Sequence, residues 1–536
     1  KAIAPGATFE HARANICPFG ADFATGDRNG KLTGGFKIDG LAWRGKMDGG
    51  ERAPAQLDTG LIEGKLGGTG AQWSLDVSAA TPALAADYPN ARRLRVRAQA
   101  VTARVLNGKG WSVAGVISKA DIEDTTLPGR LQGFDASWNG APRGDGQAVF
   151  HIENGRGRLF DPADKALFHP LIASGVTAII QDNKVNANGV IGLEEKPAKL
   201  GAFTLTHDFG GTGEVRAIAR DLTFTAALQP YDVSELARGV IDNVRGPVDV
   251  DLNARWNTKA TTTDGLVKIK DIDLASSSLG PIEGLSGDIV IDDLTRMTTP
   301  PGQTLRIRMI NPGIKVADGT VAFALQENQH IAIERAQWPF AQGILAVAPT
   351  MIDLGGEETR LSLTLTDVDV AALTEALNVK GLAATGRVQG RFPLIFTKTK
   401  GRLENGRLEA APGGGTISYD GGFSGAGTSK IAFDALRAFH YDTLSLDLNG
   451  DLDGELVSAI HFTGVNQEPM NPGQSPLPIK VVGIPFKFNV TVRAPFMSLA
   501  NSMAGLGDAR QYLKNAETKV DAQMENEGAP AAPPPQ

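Results

Sequence analysis

The strongest constraint on this fold is a period of two in hydrophobicity that recurs along most of the chain. In Thr359-Arg-Leu-Ser-Leu-Thr-Leu-Thr366, Leu361, Leu363 and Leu365 alternate with polar residues. A pleated strand sends successive side chains to opposite faces, so this spacing builds one apolar and one solvated face. Leu94-Arg-Val-Arg-Ala-Gln-Ala100, Leu444-Ser-Leu-Asp-Leu448 and Leu456-Val-Ser-Ala-Ile-His-Phe462 repeat it, and Phe486-Lys-Phe-Asn-Val-Thr-Val-Arg493 is its cleanest instance. Helical spacing is rare. Asp369 is placed to cap a short helix whose Val370, Leu373 and Leu377 share one side, with Gly381 just beyond its end. A second short helix is predicted over Leu236 to Val244, with Ser234 as a cap, and a third over Met497 to Lys514.

Glycine accounts for 64 of 536 residues. Spaced between alternating strands it predicts many turns rather than disorder, because the apolar share still supports a core. Glu153-Asn-Gly-Arg-Gly-Arg-Leu159 and Glu404-Asn-Gly-Arg-Leu408 echo one another, and Asn-Gly between strands reads as a hairpin turn. Residues 1–30 read as irregular, 31–496 as one continuous β body, 497–514 as a helix and 515–536 as a disordered Pro/Ala-rich tail. The chain opens at Lys1 with no signal peptide, so it reads as a processed or partial chain, and no apolar run approaches a membrane span. A formal charge of −7 without a basic stripe argues against nucleic acid. Cys17 is alone, which leaves no internal disulfide.

Motifs for chemistry fail one by one. His151-Ile-Glu153 lacks the Pro-Cys-x-x-Cys that a zinc deaminase needs. Gly413-Gly-Gly-Thr lacks the Gly-Lys-Ser/Thr of a phosphate loop and reads as a strand-to-strand turn. Gly422-Phe-Ser-Gly-Ala misses the nucleophile-elbow spacing by one residue. Asp292-Asp293 and Asp367/Asp369 could pair as carboxylates, though capping and strand ends explain both. His440-Tyr441 could set a base beside a phenol. Nothing here points to an enzyme, a metal or a cofactor.

A set of separated segments resembles the C-terminal part of the YdbH family, in the AsmA-like group that includes TamB and YhdP. They are Leu279-Gly-Pro-Ile-Glu-Gly-Leu-Ser-Gly287, Thr299-Pro-Pro-Gly-Gln303, Ile310-Asn-Pro-Gly-Ile314, Trp338-Pro-Phe340, Gly386-Arg-Val-Gln-Gly-Arg-Phe-Pro393, Asn405-Gly-Arg-Leu408, Ala435-Leu-Arg-Ala-Phe-His-Tyr441 and Gly464-Val-Asn466. They cover about 220–495; the first 220 residues follow by continuity of texture. Ala341-Gln-Gly343 departs from the paired glycines of the family.

The resemblance implies an all-β chain: an elongated, curved, repetitive sheet forming a lengthwise hydrophobic groove, with a few short helices including a C-terminal one. It implies a periplasmic protein of a Gram-negative envelope. The full-length protein would be anchored in the inner membrane by a segment absent here, would bridge toward the outer membrane, and would carry phospholipids between the two. Leu361, Leu363, Leu365, Leu444, Leu446, Leu448, Ile460 and Phe462 are the expected groove lining. Phe486, Phe488, Val490 and Val492 form the expected partner-strand edge, to which the resemblance assigns a small YnbE-like outer-membrane lipoprotein. Alternation fits equally a closed β-solenoid with a filled core, as in a structural or adhesin-type surface protein.

Overall fold

The computed structural model describes residues 7–14 and 31–495, with short internal interruptions of which 420–430 and 471–480 are the longest. Cys17, Leu377, the Gly422 motif, the expected helix 497–514 and the tail lie outside the described residues. The chain divides into two compact units, 1–270 with 288–299 and 271–287 with 300–536. Each is an all-β antiparallel meander, as expected, with only short helical turns.

In the first unit, Lys31–Met47 pairs along its length with Ala53–Thr69. Ala7–Ala14, within the segment read as irregular, is a strand on the other side of Lys31–Met47. The meander then runs through Trp111–Asp124, Arg130–Pro142, Ala148–Phe160, Leu171–Gln181, Lys184–Leu193, Lys199–Asp208 and Gly213–Phe224 to Asp242–Trp256. In the second unit Glu358–Asp369 pairs with Arg387–Thr397, and that strand with Gly401–Ala410. Phe439–Asp451, Glu455–Asn466 and Pro485–Pro495 follow in register.

Asp369 caps the helix Val370–Ala376 as expected, accepting the Ala372 N–H at 2.8 Å. Among the described residues of Leu236–Val244 the expected helix does not form. Pro230, pre-set for a first helical position, starts a single turn Pro230–Val233. A 3-10 turn Glu235–Ala237 follows, and a strand begins at Asp242. Ser234 ends that first turn, donating its backbone N–H to Pro230 O at 3.0 Å.

The two Asn-Gly pairs are not hairpin turns. Asn154 and Asn405 stand mid-strand with φ of 55° and 54°, and the register slips beside each on both neighbouring strands. They are bulges, and one inserted residue moves everything after it to the other face. The apolar phase moves with it: Leu403 before the bulge and Leu408 after it are both buried. Asp367, with φ 51°, does the same between Leu365 and the fully buried Val368. A left-handed residue in a strand strands an amide, and side chains next door collect it. Lys119 N–H donates to Asp135 Oδ1 at 3.0 Å, Asp221 N–H to Asp249 Oδ1 at 2.8 Å, and Asn405 N–H to Asn449 Oδ1 at 2.6 Å.

Many glycines expected in turns instead lie inside strands beneath aromatic rings. Phe36 covers Gly64, Trp138 covers Gly115, Phe203 covers Gly189 and Trp338 covers Gly319; a Cβ on any of these glycines would come within 3.0 Å of the ring. The ring can lie flat only because the neighbour has no side chain. Gly413 and Gly414 do make the expected turn, between Gly401–Ala410 and Gly415–Tyr419.

Candidate functional site

Antiparallel partners directly opposite one another share a face. In the second unit this brings the expected lining residues together. Leu365 faces Gly390, Gly390 faces Leu408, Leu408 faces Leu446, Leu446 faces Ile460 and Ile460 faces Val490. A parallel row runs through Leu363 with Phe392, and another through Leu448, Ser458 and Val492. Leu361 faces Leu394, which faces Leu403. Most of these side chains are half-buried.

The opposite face is polar. Thr364 faces Arg391, and Arg407 faces Asp447. Arg391 Nε donates to Ser362 Oγ at 2.9 Å, and Arg407 bonds Glu409 at 2.5 Å and Asp447 at 3.3 Å. Those two carboxylates push the Arg407 guanidinium up.

Leu444 and Phe462 lie toward the covered end, Phe462 buried and Leu444 half-buried like Leu446 and Ile460. They face one another, and Phe462 faces Phe488, at the end of the strands where the face is covered. Phe439, Tyr441, Phe462, Phe488, Ala435 and Met470 form a buried cluster there, against which Leu444, Ile460 and Phe486 pack. Phe462 stacks on Phe488 at 4.5 Å between centroids, and Phe439 meets both edge-on. Next to it, Val368, Val388 and Leu408 are buried with Val370 of the Val370–Ala376 helix, and Leu373 of that helix, Leu365 and Leu446 pack against them. The cover is tied down by a side chain that alternation does not reveal. Asn466, 1% exposed, donates to Glu468 O and Val481 O at 2.8 and 2.9 Å and accepts the Ile484 N–H at 2.7 Å.

The first unit carries a longer face that was not nominated from sequence. One row starts at Gly64 and passes Val77, Ala103, Gly115, Trp138 and Ile152. It continues through Ala178, Ala187, Leu205 and Val215 to Ala254, without one polar side chain. Its strands too are covered at one end, where Leu228, Phe168 and Val233 pack on Leu171 and Leu193. Gln229 holds that cover as Asn466 holds the other: its amide exchanges two 2.9 Å bonds with the Val244 backbone. Alternation in Val176–Ile180 and in Leu94–Ala100 had signalled strands, but not which would align.

The titratable groups of this unit brace the polar face. Asp251 is held below the usual carboxylate range by its hydrogen bond from Arg216, and Asp249 by the Asp221 amide. The Asp292-Asp293 pair is spent in a turn. The Thr295 hydroxyl, then Arg296, hold Asp293 far below the ordinary range, and Thr298 donates to Asp292 at 2.5 Å. His440 and Tyr441 point to opposite faces, Tyr441 Oη donating to Thr385 O at 2.7 Å. Among the described residues no three His, Cys, Asp or Glu side chains converge to hold a metal ion. No helix among them is long and apolar enough to cross a membrane.

On the last strand, Phe486, Phe488, Val490 and Val492 alternate with polar residues and face Gly464, Phe462, Ile460 and Ser458. Among the described residues Pro485–Pro495 pairs along one side only, with Glu455–Asn466. No curated protein and no solved structure matches the chain. A family model described as YdbH-like, intermembrane phospholipid transport protein YdbH, matches residues 33–515, reaching well into the part that carried no recognisable motif. Over that span the chain belongs to the YdbH-like family of intermembrane phospholipid transport proteins, which is not a family of enzymes.

Proposed function

We propose that the chain carries phospholipids between the inner and outer membranes of a Gram-negative envelope, in the periplasm, and so serves outer-membrane lipid homeostasis. The path in each unit is a hydrophobic groove laid along the apolar face of its strands. A phospholipid needs shelter for two acyl chains and water for its head. A face of aliphatic rows backed by a polar face meets both needs. The observation that carries this reading is the unbroken row from Gly64 to Ala254, together with the half-buried leucine rows of the second unit. A filled solenoid would pack those rows as tightly as Phe439 and Tyr441 are packed. An anchor outside this sequence ties the full-length protein to the inner membrane.

Lipid extracted from the purified protein and identified by mass spectrometry tests the reading, with Leu446→Glu as the control. A carboxylate in the row should leave the circular dichroism spectrum nearly unchanged and abolish recovered phospholipid, because seating acyl chains against it would cost desolvation. Unfolding of Leu446→Glu would make Leu446 ordinary core, and undiminished lipid would place the path elsewhere.

The partner reading rests on the one-sided pairing of Pro485–Pro495. An unpaired edge of alternating residues invites another strand, and a short segment of a YnbE-like outer-membrane lipoprotein adding there would extend the apolar face. Val490→Pro removes an amide donor. Loss of the lipoprotein from pull-downs with the body still folded is the expected result; an intact pull-down would move the contact off this strand.

A further inference from the structure

The apolar face of the first unit changes character as its strands approach their turns. Beside the row that begins at Gly64 and Val77 lies a second, Leu66, Leu75, Val105 and Val113, all aliphatic and half-buried. Two residues nearer the turns, the same face carries Gly68, Trp73, Asn107 and Trp111. Thr69 and Gln72 close the first turn with N–H···O bonds of 2.8 and 3.1 Å, which fixes where Trp73 leaves it.

Asn107 stands in register between the two tryptophans, so its carboxamide has an indole on each side. Trp111 is 40% exposed, and Trp73 and Asn107 are half-buried. An indole joins an apolar body to one N–H donor and settles where apolar surface meets water. Among the described residues the Asn107 carboxamide and both indole N–H groups make no hydrogen bond, which leaves them open to a ligand. The charges of these strands lie on the opposite face, where Asp76 and Arg104 pair at 3.1 Å. No carboxylate occurs from Gly68 to Trp73 or from Asn107 to Trp111, so these residues offer an anion three donors and no negative charge to repel it.

We propose that Trp73, Asn107 and Trp111 seat the polar end of a phospholipid: Asn107 Nδ2–H donates to a phosphate oxygen, the two indoles flank the glycerol, and the acyl chains lie along the Leu75–Val105–Val113 row. This inference rests on the lipid-groove reading and adds to it which end of these strands holds the head. The hydrogen bond goes to a charged oxygen, so its removal is expected to weaken binding about tenfold.

The test uses the full chain with dihexanoylphosphatidylglycerol below its micellar concentration, and with dihexanoylglycerol, which has the same chains and no phosphate. The indole N–H signals of Trp73 and Trp111, assigned in nitrogen-15 spectra through Trp73→Phe and Trp111→Phe, should both move when the phospholipid is added. Asn107→Leu should lose about tenfold in affinity for the phospholipid and keep its affinity for dihexanoylglycerol. Asn107→Gln, which retains the N–H donor, should restore most of the loss. Wild-type binding with both indole signals silent, or equal weakening toward both lipids in Asn107→Leu, would overturn the seat and leave the groove standing. Failure of the wild type to bind either lipid would overturn the groove reading and this inference with it.

Discussion

The two ends of the C-terminal strands are built to different standards from the same kind of sequence. At one end Phe439, Tyr441, Val368 and Val388 are at most 1% exposed, beneath the Val370–Ala376 helix and the segment that Asn466 ties down. A few residues further along the same strands, Leu361, Leu363, Leu448 and Val492 remain half-buried. Both regions are apolar and lie on one face. Among the described residues the difference is whether a connection packs over them: the first is a core that holds the sheet, and the second stays half-buried.

That contrast can be broken most directly by truncation. Phe439→Ala removes a ring in contact with Phe462 and Phe488, and a loss of about 3–5 kcal/mol is expected in denaturant unfolding. Leu363→Ala, in the uncovered row, should cost only about 1 kcal/mol, since little packing closes on it. Equal losses would mean that the leucine rows are core as well.

A smaller effect sharpens the account of the cover. Tyr441→Phe deletes the bond to Thr385 O and leaves that carbonyl short of a donor, for an expected loss of about 1–2 kcal/mol. Burial raises the Tyr441 phenol above its ordinary value, so the folded state keeps it neutral. Its contribution is complete below the unfolded phenol value of about 10 and fades as pH rises from there toward the folded value. The stability gap between wild type and Tyr441→Phe should therefore narrow slightly between about pH 9 and pH 11, in urea titrations at each pH. A constant gap would mean that the phenol is not shielded.

How far the sequence could be read follows from what each signal encodes. Period two is a local property: it groups Leu361, Leu363 and Leu365, and separately Leu444, Leu446 and Leu448, each within its own strand, while the register aligns Leu365 with Leu408 and Leu446. It also marked the strands of the first unit without showing that Trp138 would face Ile152 or that Val215 would face Ala254. Alignment of that kind is set by register between distant segments. Phe462 shows the limit from the other side. Its spacing matches Ile460, yet it is buried while Ile460 is half-buried.

The sequence by itself determined the elements: alternating apolar residues that can satisfy their backbone only in sheets, the Asp369 cap, and enough family segments to indicate the lineage. The tertiary structure decided phase and cover. Asn405 in a left-handed conformation suits a hairpin turn or a mid-strand bulge equally well. Only the neighbouring strand, whose Asn449 takes the stranded amide, selects the bulge and so returns Leu408 to the same face as Leu403. Cover is likewise non-local. Gln229 and Asn466 look like any polar residues in the chain, and become the ties of the two covers only where folding brings the backbones of Val244 and Val481 against them. A hydrogen bond specifies its partner in space, and linear spacing carries no record of that partner.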